Sequence, residues 1–400
     1  MKKTIIFLAI LILIALLGFY LFSLNQKGSI KSILNQTPSL SPKVEPEGLP
    51  EVQQNRKAQK QPKNSENSSE QSTVQVIAEN LNIPWEIAFL PDKTLLITQR
   101  SGELLRITQN QSSKIPIQGV EHVGEGGLLG LALHPDFESN QWIYLYLTTK
   151  KTSGLVNRVE RYQFDPENNS LNNKKIIIDD IPGASYHDGG RIAFSPNNYL
   201  FITTGDATRE DLAQDKNSLA GKILRLDQNG KIPEGNPFEN EVYSFGHRNP
   251  QGLAWDSRGR LWASEHGPSG LASGQDEINL IEKGQNYGWP IIKGDQTAQG
   301  MKAPVIQSGQ ETTWAPAALE IINDKIYFAG LRGSAIYTTQ IKKNQLNNLK
   351  TFIKDKYGRL RIIKQGPDGF LYLATSNRDG RGSINQGDDK LIKIKPEFFE

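Results

Sequence analysis

A strand-turn-strand pattern recurs over residues 87–377 and limits the fold of this chain more than any other feature. Each copy has a short apolar run, a turn rich in Pro, Asp, Asn or Gly, and a second apolar run. The six copies are IAFLPDKTLLITQRSGELLRI from Ile87, LALHPDFESNQWIYLYLT from Leu131, IAFSPNNYLFITTGD from Ile192, LAWDSRGRLWASEHG from Leu253, LEIINDKIYFAGLRG from Leu319 and IKQGPDGFLYLATSN from Ile363. Short strands with frequent turns indicate an all-β protein, and repetition with insertions at this scale is typical of propellers. We therefore predict a six-bladed β-propeller.

A strand-like segment, VQVIA, begins at Val74 and precedes the first copy of the pattern. A propeller closes when a strand from one end of the chain joins the last blade, because closure removes exposed strand edges. We therefore expect VQVIA to pair with the last blade, and we assign residues 73–400 to one propeller domain.

The N-terminal segment differs from the rest of the chain. Lys2 and Lys3 precede an uncharged run of 21 residues from Thr4 to Leu24, which is long enough to cross a bilayer. With the positive flank inside, the domain would lie outside the cytoplasm. We predict an uncleaved inner-membrane anchor over residues 1–24 with the domain on the periplasmic side. A cleaved signal peptide, and hence a secreted protein, is the alternative.

Residues 25–72 are rich in Gln, Ser, Asn, Pro, Lys and Glu. Such a segment cannot bury enough apolar surface to offset the entropy of ordering, so we predict a disordered tether between membrane and domain.

Composition excludes several classes of function. The net charge is only +3 and Cys is absent. Nucleic-acid binding needs a concentrated basic face, so no nucleic-acid partner is expected. Without Cys there is no disulfide framework, thiolate metal site or catalytic thiol.

The segment SYHDGGRIAFSPNNYLFITTGDAT, from Ser185, carries the first candidate site. His187 precedes the Gly189–Gly190 pair, which permits close approach of a backbone or a flat ligand. The following strand ends at Asp206. A His beside a carboxylate is an orientable general base, although a structural His in a turn fits the spacing equally well.

An arginine set forms the second candidate site: Arg248, Arg332, Arg359 and Arg361. The last two alternate along the strand YGRLRII and share one face. Arg binds carboxylates through a rigid fork, so convergence of these loops would suit a polyanionic small molecule. Surface arginines in weak ion pairs are the alternative.

A hard cation requires oxygen ligands, including backbone carbonyls. The turn HGPSG, from His266, offers such carbonyls at Gly267 and Pro268, and DEINLIEKGQNYGWP, from Asp276, adds Glu277 and a turn at Tyr287. Asp276 and Glu277 could equally be a solvated pair. The chain has no EF-hand pattern and no zinc-like His spacing.

The chain resembles the glucose/sorbosone dehydrogenase family of soluble-type quinoproteins over nearly all of residues 76–395. The motifs that carry the resemblance are GGLLGLALHPDF from Gly126, HDGGR from His187, AGKILRLDQNGKIPEGNPF from Ala220, GHRNPQGLA from Gly246, and DEINLIEKGQNYGWP. The resemblance implies a six-bladed propeller that oxidises aldoses to lactones with pyrroloquinoline quinone (PQQ) and calcium, and that passes electrons to an external quinone or cytochrome.

The resemblance also implies roles for individual residues. His187 resembles the catalytic base that takes the proton of the anomeric hydroxyl, and Asp206 resembles the carboxylate that orients it. Arg248 and Asn249 resemble the pair that holds the polar edge of the cofactor.

Further cofactor and metal ligands follow from the same resemblance. Arg359 and Arg361 match the two arginines at the cofactor carboxylates. The implied metal ligands are Gly267 and Pro268 for the calcium at the cofactor, and Glu277 and Tyr287 for a second, structural calcium.

Three residues depart from the family pattern at or beside the cofactor. Glu125 stands where the family often has Gln, and a carboxylate there is unfavourable unless it is protonated or paired. Arg332 stands where the family has a lysine. Tyr186 stands where some sugar-oxidising members have an acidic residue. With Glu125 as a sign of a lost cofactor site, a non-redox sugar-binding propeller is one alternative function. A calcium-dependent lactonase is the other, because other six-bladed propellers use a central calcium for that chemistry.

Overall fold

The computed structural model of the protein describes residues 73–109, 111–269 and 273–400. The predicted anchor (1–24) and tether (25–72) lie outside the described residues. Within the described part of the chain, no helix is long and apolar enough to span a membrane. The helices found there are single turns: α1 (Phe137–Asn140) and two 3-10 helices, Glu210–Ala213 and Pro396–Phe399.

The described residues form six antiparallel sheets of four strands, which are the blades of a propeller. Blade 1 consists of β2 (Pro84–Phe89), β3 (Leu95–Gln99), β4 (Glu103–Ile107) and β5 (Ser112–Pro116). Blade 2 consists of β6 (Leu128–Leu133), β7 (Trp142–Lys151), β8 (Gly154–Asp165) and β9 (Ser170–Pro182). Blade 3 consists of β10 (Ile192–Phe194), β11 (Leu200–Thr204), β12 (Lys222–Leu226) and β13 (Val242–Phe245).

Blades 4 to 6 follow in chain order, and blade 6 takes its outermost strand from the beginning of the domain. Blade 4 consists of β14 (Pro250–Trp255), β15 (Leu261–Glu265), β16 (Glu277–Ile281) and β17 (Ile306–Gln307). Blade 5 consists of β18 (Pro316–Ile322), β19 (Lys325–Gly330), β20 (Ala335–Lys342) and β21 (Gln345–Phe352). Blade 6 consists of β22 (Leu360–Gln365), β23 (Leu371–Thr375), β24 (Leu391–Ile394) and β1 (Val74–Ala78). The prediction of six blades is confirmed, since each copy of the sequence pattern begins in the first strand of a blade.

The first strands of the blades contact one another in a closed ring around the channel, in the order β2, β6, β10, β14, β18, β22. Close approach explains small residues on these strands. A Cβ on Gly130 would collide with the carbonyl of Gly190, and one on Gly252 would collide with the carbonyl of Ala317. Larger apolar side chains pack between adjacent blades. Trp85, Leu129 and Tyr146, for example, share one buried cluster.

The ring closes where β1 pairs with β24, with Val74 opposite Ile394 and Val76 opposite Ile392. The predicted pairing of VQVIA with the last blade is therefore confirmed. Thr73 accepts a hydrogen bond from the backbone of Lys395, which follows β24. Because β24 begins beside the loop that carries Arg381 and ends at Ile394, Thr73 lies at the opposite end of the blade from that loop.

The C-terminal 3-10 helix stabilises the closing blade through Phe399, which is fully buried. Its ring packs against those of Tyr327, Phe352 and Phe398, with centroid distances of 6.0, 5.4 and 5.3 Å.

We expect Phe399→Ala to lower the free energy of unfolding by about 3–5 kcal/mol, because the substitution leaves a cavity. Phe398→Ala, at a partly exposed site, should cost clearly less. Chemical denaturation of both variants checks this, and equal losses would contradict it.

Candidate active site

A cavity of about 480 Å³ opens at one end of the channel, where loops from several blades meet. Its volume is in the range of small-molecule sites. The residues predicted from sequence that line it are Glu125, His187, Arg248, Asn249, Gly267, Pro268, Arg332, Arg359 and Arg361. The propeller thus brings together side chains that are more than 200 residues apart in the chain.

His187 lies in the wall of this cavity with its ring held at both nitrogens. Its Nδ1 lies 2.8 Å from Oδ1 of Asp206, and its Nε2 lies 2.8 Å from Nη2 of Arg248. A carboxylate only accepts, so Nδ1 carries the hydrogen and Nε2 presents its lone pair. The ring therefore has the tautomer that a base acting through Nε2 needs.

Both carboxylate oxygens of Asp206 are held by hydrogen bonds. Its Oδ1 also accepts the backbone N–H of Thr208 at 2.8 Å, and its Oδ2 accepts Nε1–H of Trp289 at 2.8 Å. His187 has a positive φ of 62°, and its carbonyl lies so close to Gly205 that a Cβ there would collide with it. The HDGG turn and the loop after β11 are therefore tightly interlocked.

Arg248 and Asn249 connect the loop before β14 to the base. Arg248 also donates through Nη2 to Ser269 at 2.8 Å, whereas its buried Nε has no partner within the described residues. Oδ1 of Asn249 accepts the backbone N–H of Gly189 at 2.9 Å. Asn249 thereby supports the glycine turn that follows His187.

Arg359 and Arg361 both reach the cavity from the start of β22, as their alternation predicts. Arg359 donates through Nε and Nη2 to one oxygen of Asp379, at 2.9 and 2.8 Å. Arg361 donates to Oε1 of Gln251 at 3.1 Å and lies 3.9 Å from Asp379. One buried carboxylate thus faces two buried guanidinium groups.

Positive charge in the cavity is only partly neutralised. Burial and the nearby charge of Arg100 lower the pKa of Arg361 to about 9. Arg332 is exposed at the cavity, and no ion pair to it is found in the described part of the chain. A buried charge is costly unless it is paired, so Arg361, together with the exposed Arg332, fits an anionic ligand with several carboxylates.

Glu125 is the carboxylate that the sequence places among these arginines, and it is paired. Oε1 lies 2.6 Å from Nη1 of Arg381, and Oε2 accepts the backbone N–H of His187 at 3.1 Å. Burial alone would raise the pKa of Glu125, but the charges of His266 and Arg381 and these hydrogen bonds lower it to about 2. Glu125 is therefore an ionised, compensated group.

Gly267 and Pro268 line the cavity beside His266. Asp276 is buried and anchors this turn, since Oδ1 accepts Gly267 N–H at 2.8 Å and Oδ2 accepts three further hydrogen bonds from residues 313–315. The alternative of a solvated Asp276 is thus wrong. No donor among the described residues bonds the carbonyls of Gly267 and Pro268, which leaves both oxygens for a cation.

Glu277 and Tyr287 lie beside a smaller adjoining pocket, which Gly267 and Pro268 also line. The Tyr287 hydroxyl donates to the carbonyl of Leu280 at 2.6 Å. Burial and the charge of Glu265 raise the pKa of Glu277 to about 8. The described residues contain no group of three or more His, Asp or Glu side chains with metal-binding geometry, so the second calcium site stays a prediction.

Sequence reasoning missed Asp379 and Arg381, which lie in the loop after β23. The sequence does contain a signal for these two residues, namely the position of their loop in the repeat. Asp206 and His266 follow the second strand of blades 3 and 4, and SNRDGRG follows the second strand of blade 6 at the corresponding place. Loops at equivalent positions of a propeller meet at the same end of the channel.

Comparisons with known proteins identify the family of the chain. The profile of the family described as Glucose / Sorbosone dehydrogenase matches residues 81–386. Aldose sugar dehydrogenase YliI of Escherichia coli K12 is 32% identical over 81% of this chain and 92% of its own. A solved glucose dehydrogenase-type oxidoreductase from Thermus thermophilus has 41% identity and a TM-score of 0.76, over 80% of this chain and 99% of its own. A PQQ-bound aldose sugar dehydrogenase from Streptomyces coelicolor has 37% identity and a TM-score of 0.75, over 80% and 97%.

Asp188 of the HDGGR string makes stability depend on pH. Its side chain is 1% exposed, and Oδ2 has no partner in the part of the chain that the structure describes. Burial raises the pKa of Asp188 to about 7, above the value of about 3.9 in unfolded chains. The folded state would therefore retain a proton that the unfolded chain releases, and we expect the contribution of Asp188 to stability to fall as pH rises from about 4 to 7.

We expect Asp188→Asn to remove this pH dependence, so that the variant melts above the wild type at pH 8 and close to it at pH 4. Asp211→Asn, at an exposed position, is the control and should not change the profile. Melting temperatures across pH 4–8 check this. A parallel profile for Asp188→Asn and wild type would show that Asp188 is not protonated in the folded state.

Proposed function

The chain belongs to the glucose/sorbosone dehydrogenase family, and from that premise we propose that it oxidises aldose sugars to lactones with PQQ and calcium. The observation that carries this proposal is the position of His187. His187 lines a cavity together with five arginines, and its Nδ1 is bonded to Asp206.

The residues present fit a flat tricarboxylate such as PQQ. Arg332 has no ion pair among the described residues, and Arg361 is buried with only a distant carboxylate at 3.9 Å. The unpartnered Nε of Arg248 is a further donor. These three groups would hold the carboxylates and the polar edge of the cofactor, as guanidinium forks do. Glu125, in turn, is compensated by Arg381 and does not repel the ligand as a free carboxylate would.

Calcium fits the carbonyl oxygens of Gly267 and Pro268, since hard cations take backbone carbonyls as ligands. When bound, PQQ supplies the acceptor for the hydride from C1 of the sugar, and calcium polarises it as a Lewis acid. A further calcium at Glu277 and Tyr287 is part of the same proposal. It is supported by the position of both residues at the pocket that Gly267 and Pro268 also line.

His187 would take the proton of the anomeric hydroxyl on Nε2. That lone pair now accepts a hydrogen bond from Nη2 of Arg248 at 2.8 Å, so the guanidinium must turn toward an anionic ligand before the base can act. Asp206 keeps the hydrogen on Nδ1 and stabilises the imidazolium that forms. The substrate hydroxyl would therefore find a free base only in the loaded site.

We further propose that the domain is extracytoplasmic, held by residues 1–24 at the inner membrane, and that an external quinone or cytochrome takes its electrons. The uncharged run from Thr4 to Leu24, with Lys2 and Lys3 before it, supports this proposal, because it is long enough to cross a bilayer with its positive flank inside.

Reconstitution tests the function directly. Purified protein is mixed with PQQ and calcium, and its visible spectrum is recorded before and after an aldose is added. We expect a bound chromophore that the sugar reduces. Hydrolysis of lactones without PQQ would indicate a calcium-dependent lactonase instead, and sugar binding without either reaction would indicate a binding module.

Two substitutions separate the roles of base and cofactor ligand. His187→Ala should lower turnover by roughly 10²–10⁴-fold, the usual contribution of a general base, with cofactor affinity nearly unchanged. Arg332→Gln should weaken cofactor binding by about 1.5–3 kcal/mol, the contribution of a charged hydrogen bond, with little change in turnover at saturation. Cofactor titration and steady-state kinetics check both predictions. Loss of cofactor affinity in His187→Ala with unchanged turnover, or loss of turnover in Arg332→Gln with unchanged affinity, would contradict the assignment.

A further inference from the structure

A chain of charged contacts crosses the mouth of the cavity and ends at the backbone of the base. The carboxylate of Asp379 bonds Arg359 through one oxygen and the backbone N–H of Arg381 through the other, at 3.0 Å. The Arg381 side chain bonds Glu125 at 2.6 Å. Glu125 then accepts the N–H of His187. Loops from three regions of the ring are thereby linked.

Arg381 differs from an ordinary surface arginine because its ion-pair partner, Glu125, is mostly buried. Its side chain is 50% exposed, but that of Glu125 is only 15% exposed. Its guanidinium also lies 5.4 Å from the centre of the Tyr186 ring, next to His187 in the chain. Exposed ion pairs contribute little, whereas a partner that compensates a mostly buried carboxylate has a larger effect.

Other cations compete for the Glu125 carboxylate. Arg100, Arg248 and Arg361 all lie close enough for its charge to act on them. Arg248 and Arg361 line the same cavity as Glu125, so we expect a carboxylate without Arg381 to turn toward them. The hydrogen bond from the His187 N–H to Glu125 would then be lost, and the carboxylate would neutralise the arginines that are available to an anionic ligand.

We propose that Arg381 is a positioning residue: it draws the Glu125 carboxylate to the cavity mouth, where that carboxylate fixes the backbone of His187 and leaves Arg248 and Arg361 free for an anion. This inference rests on the proposed function for its kinetic consequences. Its structural consequence, the hydrogen bond at His187 N–H, is independent of any cofactor.

The structural consequence is tested on the protein without cofactor. Amide hydrogen exchange at His187 is measured by NMR for wild type, Arg381→Gln and the control Lys114→Gln, which removes an exposed ion pair with Glu103. We expect exchange at His187 to be at least about tenfold faster in Arg381→Gln and unchanged in the control. Unchanged exchange in Arg381→Gln would overturn the proposal.

A double-mutant cycle tests the kinetic consequence. Glu125→Gln keeps an oxygen for the His187 N–H but removes the charge that the arginines attract. We expect Arg381→Gln to lower PQQ affinity and kcat by about tenfold or more, since small displacements of catalytic groups are costly, with a smaller change in sugar KM. Adding Glu125→Gln should restore most of both losses.

The outcomes of the cycle are distinct. Rescue in the double variant supports the positioning role, because a general loss of folding would not be relieved by a second substitution. Additive losses, with lower melting temperatures, would show that Arg381 only stabilises the loop and would overturn the proposal. If wild type does not oxidise aldoses at all, the proposed function fails, and the exchange measurement alone decides the role of Arg381.

Discussion

The arrangement of this molecule depends on positive charge that its own carboxylates do not fully neutralise. Arg248, Arg332 and Arg361 face the cavity beside Glu125 and Asp276, but Asp276 is already bonded by backbone and hydroxyl donors. Removing a guanidinium from water costs several kcal/mol unless a partner is supplied. The fold holds Arg248 and Arg361 buried at this cavity and Arg332 exposed at it, so an anion that enters the cavity supplies the missing partner. The lowered pKa of Arg361 expresses the same imbalance.

The propeller provides the rigidity that such a cavity needs. Its first strands contact one another in a closed ring, and Gly130 and Gly252 allow this close approach. Polar side chains then extend from loops whose ends are fixed by strands. The base is held in the same way, because Asp206, Asn249 and Glu125 reach the HDGG turn from three different loops.

The fold could be predicted from sequence because its signal is repeated. Each blade carries the same alternation of apolar strand and polar turn, so six weak patterns reinforce one another, and the unpaired VQVIA segment indicated the closure. His187, Asp206 and the arginines could be found because catalytic and anion-binding side chains lie in or beside the loops that join the strands. That they share one cavity could be inferred only through the propeller topology and the resemblance to a family.

The contacts within the site could not be predicted in this way. Asp379 lies 20 residues from Arg359 in the chain and pairs with it because two loops of blade 6 fold toward each other. The pairing of Arg381 with Glu125 spans 256 residues and meets the condition under which a carboxylate is tolerated at this position. Glu277 and Tyr287 lie at an adjoining pocket, and the sequence does not reveal how far they are from the main cavity. Such details depend on side-chain directions, which composition and periodicity do not encode.

The central claim is that the surplus of guanidinium groups binds a tricarboxylic cofactor over the His187 ring. A crystal structure of the protein grown with PQQ and calcium tests it most directly. The account predicts density for PQQ in the cavity, with its carboxylates and polar edge on Arg332, Arg361 and Arg248 and a cation at the carbonyls of Gly267 and Pro268. An unchanged cavity in such crystals, with Arg248 still bonded to Nε2 of His187, would contradict it.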